Sequence, residues 1–121
     1  MKNLRILIAL LLAHLLATSA PLFAVDMVGT LPLGLYACEW PGDATGPVGR
    51  HAPEQDFTVV TGSSYEAGGA IGTYLLSGEI LVMTSGPKQG QKFHRLSLGF
   101  LRLVKADGAD GDLRCFRQGR N

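Results

Sequence analysis

Short runs of alternating apolar and polar residues dominate the chain after residue 24, and this two-residue period is typical of half-buried β-strands. Clusters rich in Gly, Pro, Ser and Asp separate the runs at near-regular intervals. No convincing helical period interrupts them. The pattern predicts about seven strands, over residues 35–40, 57–60, 71–76, 79–83, 91–98, 100–105 and 113–117. We therefore expect an all-β fold, a small antiparallel meander that closes into a barrel or a sandwich.

The first predicted strand places Tyr36, Cys38 and Trp40 on one face. That face is expected to point into the core, so the sequence predicts that Trp40 is largely buried. The sequence also predicts two turns. Ser77-Gly78 joins two apolar runs and predicts a hairpin. Gly99 indicates a bulge or a bend between the fifth and sixth strands.

The first 24 residues have a different character. Two basic residues, Lys2 and Arg5, precede a 12-residue apolar run at 6–17 and then a segment of small residues. This layout is typical of a cleavable secretory signal peptide, with cleavage favoured after Ala24 over Ala20. A membrane anchor is the alternative, but a span requires about 17–25 apolar residues. The prediction is a signal peptide at 1–24 and a single β domain at 25–121, periplasmic or secreted, without a transmembrane segment.

Cys38 and Cys115 are the chain's two cysteines and lie near the two ends of the predicted domain. Exported proteins enter compartments where disulfides persist, and two cysteines allow one intramolecular pairing. A disulfide is the favoured interpretation. Two free buried thiols or a metal-binding pair remain as alternatives, although a metal ion would require further ligands.

The net charge and the length of the chain exclude several classes of function. Without residues 1–24, nine basic and ten acidic residues leave a net charge of −1, which lacks the basic field typical of nucleic-acid binding. The length excludes (β/α)8 barrels and dinucleotide-binding folds. All 16 glycines follow residue 24, in keeping with many tight turns.

No catalytic or cofactor motif is recognisable in the sequence. His51 and His94 lack a Gly-x-Ser-x-Gly serine, so each is interpreted as a surface histidine, although Ser63, Ser64 or Ser85 could approach one of them in space. The acidic cluster in 107–112 has Asp-Gly pairs typical of a hairpin turn, with a weak ion site as the alternative. Neither a metal nor a cofactor is predicted.

Two stretches are candidates for recognition. The long loop at 41–53 carries Asp43, Arg50 and His51, and loops of this length on a rigid sheet often bind ligands; a plain connector is the alternative. The basic residues Lys88, Lys92 and Arg95, which Arg102 could join from the next strand, are predicted to form a patch for an anionic ligand. Their alternative is an ordinary solvated surface.

Several short motifs resemble segments of known groups of exported proteins. The segments Gly34-x-Tyr36-x-Cys38, 72–74, 84–87 and 113–115 resemble a group of small exported bacterial proteins of unassigned function. Tyr36-Ala37-Cys38 with the late Cys115 is similar to the periplasmic inhibitors of C-type lysozyme, which implies a small disulfide-closed barrel. Those inhibitors insert a Ser-Gly-x-x-Tyr segment into lysozyme. Here Ser85-Gly86 is followed by Gln89 in place of that Tyr, and no functional residue is carried over.

The expected function is that of an exported, monomeric, non-enzymatic binding or envelope-associated domain, with an unknown protein or envelope ligand as partner. The alternative is a protein inhibitor of a hydrolase such as a lysozyme or a protease. An enzyme is the third hypothesis, and it requires a histidine within hydrogen-bond distance of both a serine and a carboxylate.

Overall fold

The computed structural model describes residues 27–43 and 49–119. In this part of the chain it contains ten strands and one 3-10 helix, Pro53–Gln55. The strands are β1 Val28–Gly29, β2 Gly34–Pro41, β3 Gly49–His51, β4 Phe57–Val59, β5 Ser64–Ala67, β6 Ala70–Ser77, β7 Ile80–Met83, β8 Lys92–Ser97, β9 Phe100–Val104 and β10 Asp110–Arg117. The predicted signal peptide, residues 1–24, lies outside the described residues. Within them, no helix is long and apolar enough to cross a membrane.

The strands form one closed antiparallel barrel of eight strands. Strands β4 to β10 make a meander in which each pairs with the next. Strand β2 completes the ring, because it pairs with β4 along one edge and with β10 along the other. The predicted all-β class and antiparallel meander are confirmed, and the form is a barrel. The short strands β1 and β3 are added outside the ring, on β6 and β2 respectively.

The barrel interior is filled with side chains. Inward positions alternate along the strands as the sequence predicts, and Tyr36, Phe57, Tyr65 and Phe93 are almost fully buried. The rings of Tyr36 and Phe57 stack with their centroids 5.2 Å apart, and Phe93 lies 5.8 Å from Phe57. Contacts of this kind add to the stability that the buried area provides. A filled interior directs any binding function to the outer surface or to the ends of the barrel.

The two ends of the barrel differ in their connections. One end, here called the loop pole, carries the β2–β3, β5–β6, β7–β8 and β9–β10 connections. The opposite pole carries the β4–β5, β6–β7 and β8–β9 turns and the segment before β2. Gly78 and Gly99 occupy turns at the opposite pole with φ of 60° and 77°, as the sequence predicts for a hairpin and a bend.

The β7–β8 connection, residues 84–91, folds over the loop pole. The Tyr65 hydroxyl donates a hydrogen bond to the Ser85 carbonyl oxygen at 2.8 Å and accepts one from the Lys88 backbone N–H at 2.9 Å. The connection approaches β6 so closely that a Cβ on Gly86 would overlap Gly72. Gly86 also has φ of +87°, which a side chain would disfavour. The connection is therefore a fixed part of the barrel's end.

The predicted disulfide joins Cys38 to Cys115. The two residues are direct partners on β2 and β10, with an S–S distance of 2.05 Å and Cα atoms 4.0 Å apart. Both are fully buried in the core. The bond therefore covalently closes the seam where the strand early in the domain meets the last one.

Candidate functional site

The predicted recognition loop is in part a strand pair. Residues 39–41 of β2 pair with residues 49–51 of β3 to form a two-stranded ribbon, here called the hairpin arm. Asp43 is exposed just beyond β2, and Arg50 and His51 are exposed on β3. The sequence predicts a loop throughout 41–53. That prediction is wrong for 49–51, because backbone pairing with β2 orders Gly-Arg-His in spite of its lack of apolar residues.

Trp40 lies on the hairpin arm and is 37% exposed, so the prediction that it is largely buried is wrong. The prediction of its face is correct, since Tyr36 and Cys38 on the same face of β2 are fully buried. However, β2 pairs with β10 only as far as Glu39, and beyond that residue the described pairing of β2 is with β3 alone. Trp40 therefore lies beyond the last residue pair of β2 and β10, where its indole can contact the core on one side at most.

Arg50 is the direct partner of Trp40 across the ribbon. Both side chains are exposed, and among the described residues the Arg50 guanidinium makes no ion pair. An indole and a guanidinium thus lie side by side near the end of the arm. Trp and Arg are the residue types that contribute most often to the energetic centre of protein interfaces.

Charged side chains fix the base of the arm to the barrel. The His51 Nε2 atom lies 2.8 Å from Asp56 Oδ2, and Asp56 Oδ1 accepts a hydrogen bond of 2.8 Å from the Cys38 backbone N–H. On the other side of β2, Arg114 Nε donates to Glu39 Oε1 at 2.8 Å. His51 therefore positions the arm, while Trp40 and Arg50 project from it. The role of Asp56 was not foreseen in the sequence, because no motif links it to Cys38.

The predicted anionic-ligand patch does not exist as one surface. Lys88 is only 6% exposed and lies at the loop pole, whereas Arg95 lies at the opposite pole and donates from Nη2 to the Gly78 carbonyl oxygen at 3.3 Å. Lys92 is exposed on β8. Proximity in sequence was misleading here, because the β7–β8 connection turns Lys88 inward and because β8 then carries Lys92 and Arg95 to opposite faces.

Lys88 closes the loop pole with its own side chain. Its Nζ atom lies 5.7 Å from the centroid of the Phe57 ring, a cation–π arrangement inside the end of the barrel. Burial lowers the pKa of Lys88, and the negative charges of Asp56 and Glu54 oppose that effect. The ammonium group is thus held mainly by aromatic and long-range charge interactions.

His94 forms a second charged cluster, on the outer wall. Its Nδ1 atom is 3.1 Å from both carboxylate oxygens of Asp110, and its Nε2 atom is 3.3 Å from Glu79 Oε2. Hydrogen bonding to Asp110, and then to Glu79, raises the pKa of His94. Because both ring nitrogens face carboxylates, the imidazolium form satisfies the cluster best.

Both histidines in the described part of the chain hydrogen-bond to carboxylates and to no serine. Ser85 is likewise occupied, since its hydroxyl accepts a 3.0 Å hydrogen bond from the Thr73 N–H and lies 2.7 Å from the Thr73 hydroxyl. The Asp107–Asp110 segment forms the β9–β10 turn, in which Asp107 Oδ1 accepts from the Ala109 N–H. Among the described residues, no group of three His, Cys, Asp or Glu side chains has the arrangement of a metal site.

Comparison of the chain with protein-family models, with curated proteins and with solved structures gave no match.

Proposed function

We propose that this protein is an exported, non-enzymatic binding module that recognises a partner protein through its hairpin arm. The observation that carries the proposal is the exposed pair of Trp40 and Arg50 on adjacent strands of a ribbon that extends beyond the barrel. The exposed indole contributes little to the packed core, so packing does not explain why a large apolar ring lies at this place.

The arm is suited to binding because it is ordered before a partner arrives. Its two strands pair with each other, and contacts from Asp56 and Arg114 fix its base. A preordered ribbon loses less conformational freedom on association, so more of the contact energy appears as affinity. The filled interior supports the same proposal, because it leaves the outside and the ends as the available surfaces.

Export is part of the proposal and has two supports. The layout of residues 1–24 is typical of a signal peptide, and the buried Cys38–Cys115 disulfide suits an oxidising compartment such as the periplasm or the extracellular space. We propose that the mature protein acts there as a monomer.

A binding role is preferred over catalysis because the potential catalytic groups are already paired. His51 is held by Asp56, and His94 is held between Asp110 and Glu79. A general base needs a ring nitrogen that faces the proton it removes, and a nucleophile within reach. These pairings support a structural role for both histidines.

One observation favours a more specific alternative, inhibition of a hydrolase such as a lysozyme or a protease. A narrow ribbon with an exposed Trp is a shape that can enter an enzyme cleft. The Ser85-Gly86 segment is less suited to this, since its backbone and hydroxyl bind β6 and Tyr65. If the protein is an inhibitor, we therefore expect the hairpin arm to be the inhibitory element.

The test is chemical cross-linking in an extract of the cell envelope, with identification of the captured protein and titration of the purified pair. We expect Trp40→Ala and Arg50→Ala to abolish capture. Leu98→Ala is the matched control, because Leu98 is 79% exposed at the opposite pole. Trp40 is the only tryptophan, so its fluorescence should shift to the blue when the partner covers it. Equal capture by all variants would rule out the arm, and loss of the partner's hydrolase activity on binding would establish the inhibitor alternative.

A further inference from the structure

A groove on the outside of the loop pole forms a second site, apart from the hairpin arm. The β7–β8 connection and the start of β8 line one side, and the end of β9 with the β9–β10 turn lines the other. Its volume is about 570 Å³, within the range usual for small-ligand sites. Strand β10 lies between β2 and β9, which lines the groove, so the groove is a different surface from the arm.

The groove has positive charge and no acidic lining residue in the described part of the chain. Phe93 pairs with Leu103, which places Lys92 and Lys105 at neighbouring strand ends, and both lysines line the groove. Lys92 is the one member of the predicted anionic-ligand patch that is exposed, and Lys105 is the second lysine of the groove. Asp107 lies outside the lining, with Oδ2 at 3.9 Å from the Lys105 Nζ atom, a long and exposed ion pair.

The other lining groups favour an anion that also carries hydroxyls. Gln89 and Gln91 supply side-chain amides, and the Gln91 Oε1 atom is buried with no hydrogen-bond donor among the described residues. An acceptor without a donor is unfavourable, and a ligand hydroxyl that drew the amide into the groove would remove that penalty. Leu103 and Val104, which are half-buried, provide an aliphatic surface for the C–H face of a sugar ring.

The geometry points to this groove as a binding site for a carboxylated saccharide. The two ammonium groups pair with the carboxylates, the glutamine amides bind the hydroxyls, and the aliphatic wall supports the ring. Simple phosphate fits less well, because it has no C–H face to lie against the aliphatic wall. The site is independent of the proposed protein partner and can be tested separately from it.

The experiment is calorimetric titration of the disulfide-bonded protein with trigalacturonate, with maltotriose as the neutral sugar and inorganic phosphate as the simple anion. We expect trigalacturonate to bind, maltotriose to bind at least about tenfold more weakly, and added salt to weaken the binding. Lys92→Gln and Lys105→Gln should each weaken binding by about tenfold or more. Gln91→Leu should weaken binding of the saccharide, because it removes an amide that binds a hydroxyl.

Two further variants distinguish a binding role from a general effect of charge. Asp107→Asn should tighten binding by about twofold, because it removes the competing carboxylate and keeps the side-chain oxygen that the Ala109 N–H needs. Arg50→Gln removes the same charge as the lysine variants at the hairpin arm and should leave binding unchanged. Urea unfolding of each variant confirms its fold. Absence of trigalacturonate binding, equal binding of maltotriose, phosphate binding as tight as that of the saccharide, or an equal loss in Arg50→Gln would overturn the proposal.

Discussion

Loss of the Cys38–Cys115 disulfide should remove a large share of the stability of the domain. The two cysteines are 77 residues apart in sequence, so reduction releases almost the whole barrel from one covalent loop. The chain-entropy model gives about 15 cal/mol/K for a loop of this length, or about 4.5 kcal/mol at 25 °C. Domains of this size are stable by only about 5–15 kcal/mol, so the reduced protein should be marginal.

The assay is urea unfolding of the oxidised protein, the reduced protein and the variants. Cys38→Ala, Cys115→Ala and the double variant should lose similar amounts of unfolding free energy, because either single change already removes the bond. Cys38→Val with Cys115→Val is the control for packing, since valine refills the two buried positions and suits a strand. Its remaining deficit measures the cross-link itself.

Reduction should also be slow in the native protein. Both sulfurs are fully buried, so a reductant reaches them only when the barrel opens, and the rate should rise steeply with urea. The reasoning is refuted if thiol titration shows complete reduction and the unfolding free energy of the reduced protein equals that of the oxidised protein.

Three further predictions concern single side chains. Trp40→Ala should cost about 1 kcal/mol or less in urea unfolding, against about 3–5 kcal/mol for Phe57→Ala, and equal losses would show that the indole belongs to the core. The pKa of His94 is raised in the folded protein, so its contribution to the free energy of unfolding is full below the unfolded pKa of 6.5 and is lost as pH rises through the folded pKa. His94→Gln should flatten that part of a curve of stability against pH. An unchanged curve would contradict the role of the charged cluster. The pKa of Lys88 is lowered in the folded protein, so the effect of pH is the reverse of that for His94. The free energy of unfolding should rise as pH increases from the folded pKa towards the unfolded pKa of 10.5. Lys88→Met, which keeps the buried stem, should abolish that rise and stabilise the protein by about 1 kcal/mol at neutral pH, whereas a loss of stability would show that the ammonium group is needed.

The strands that the sequence predicted are those with at least two large apolar residues at alternate positions. All seven are present, with ends that differ by up to three residues. Strand β5 is absent from the seven predicted strands, because Tyr65 and Ala67 alone carry its inward pattern between two turn clusters. Strand β3 has no apolar residue at all, so pairing with β2 and the contact between His51 and Asp56 order it. The alternation of apolar residues along the chain therefore reveals neither strand.

The sites were harder to predict than the strands, for reasons visible in three residues. Alternation along β2 identified the face of Trp40, but its exposure depends on where β10 stops pairing, which is a property of the assembled barrel. Lys88 lies in a polar turn sequence, yet its connection folds back over the barrel end and buries it. Lys105 lies 13 positions after Lys92, and only the pairing of β8 with β9 makes them neighbours.

The disulfide at the β2–β10 seam also sets an order of events, because it cannot form before β10 has been made. Cys38 precedes Cys115 by 77 residues, so the correct bond cannot form until the strands between them have left the ribosome. A chain truncated before Cys115 would leave Cys38 as an unpaired thiol beside a barrel that cannot close. The native bond therefore requires that every strand of the barrel be present.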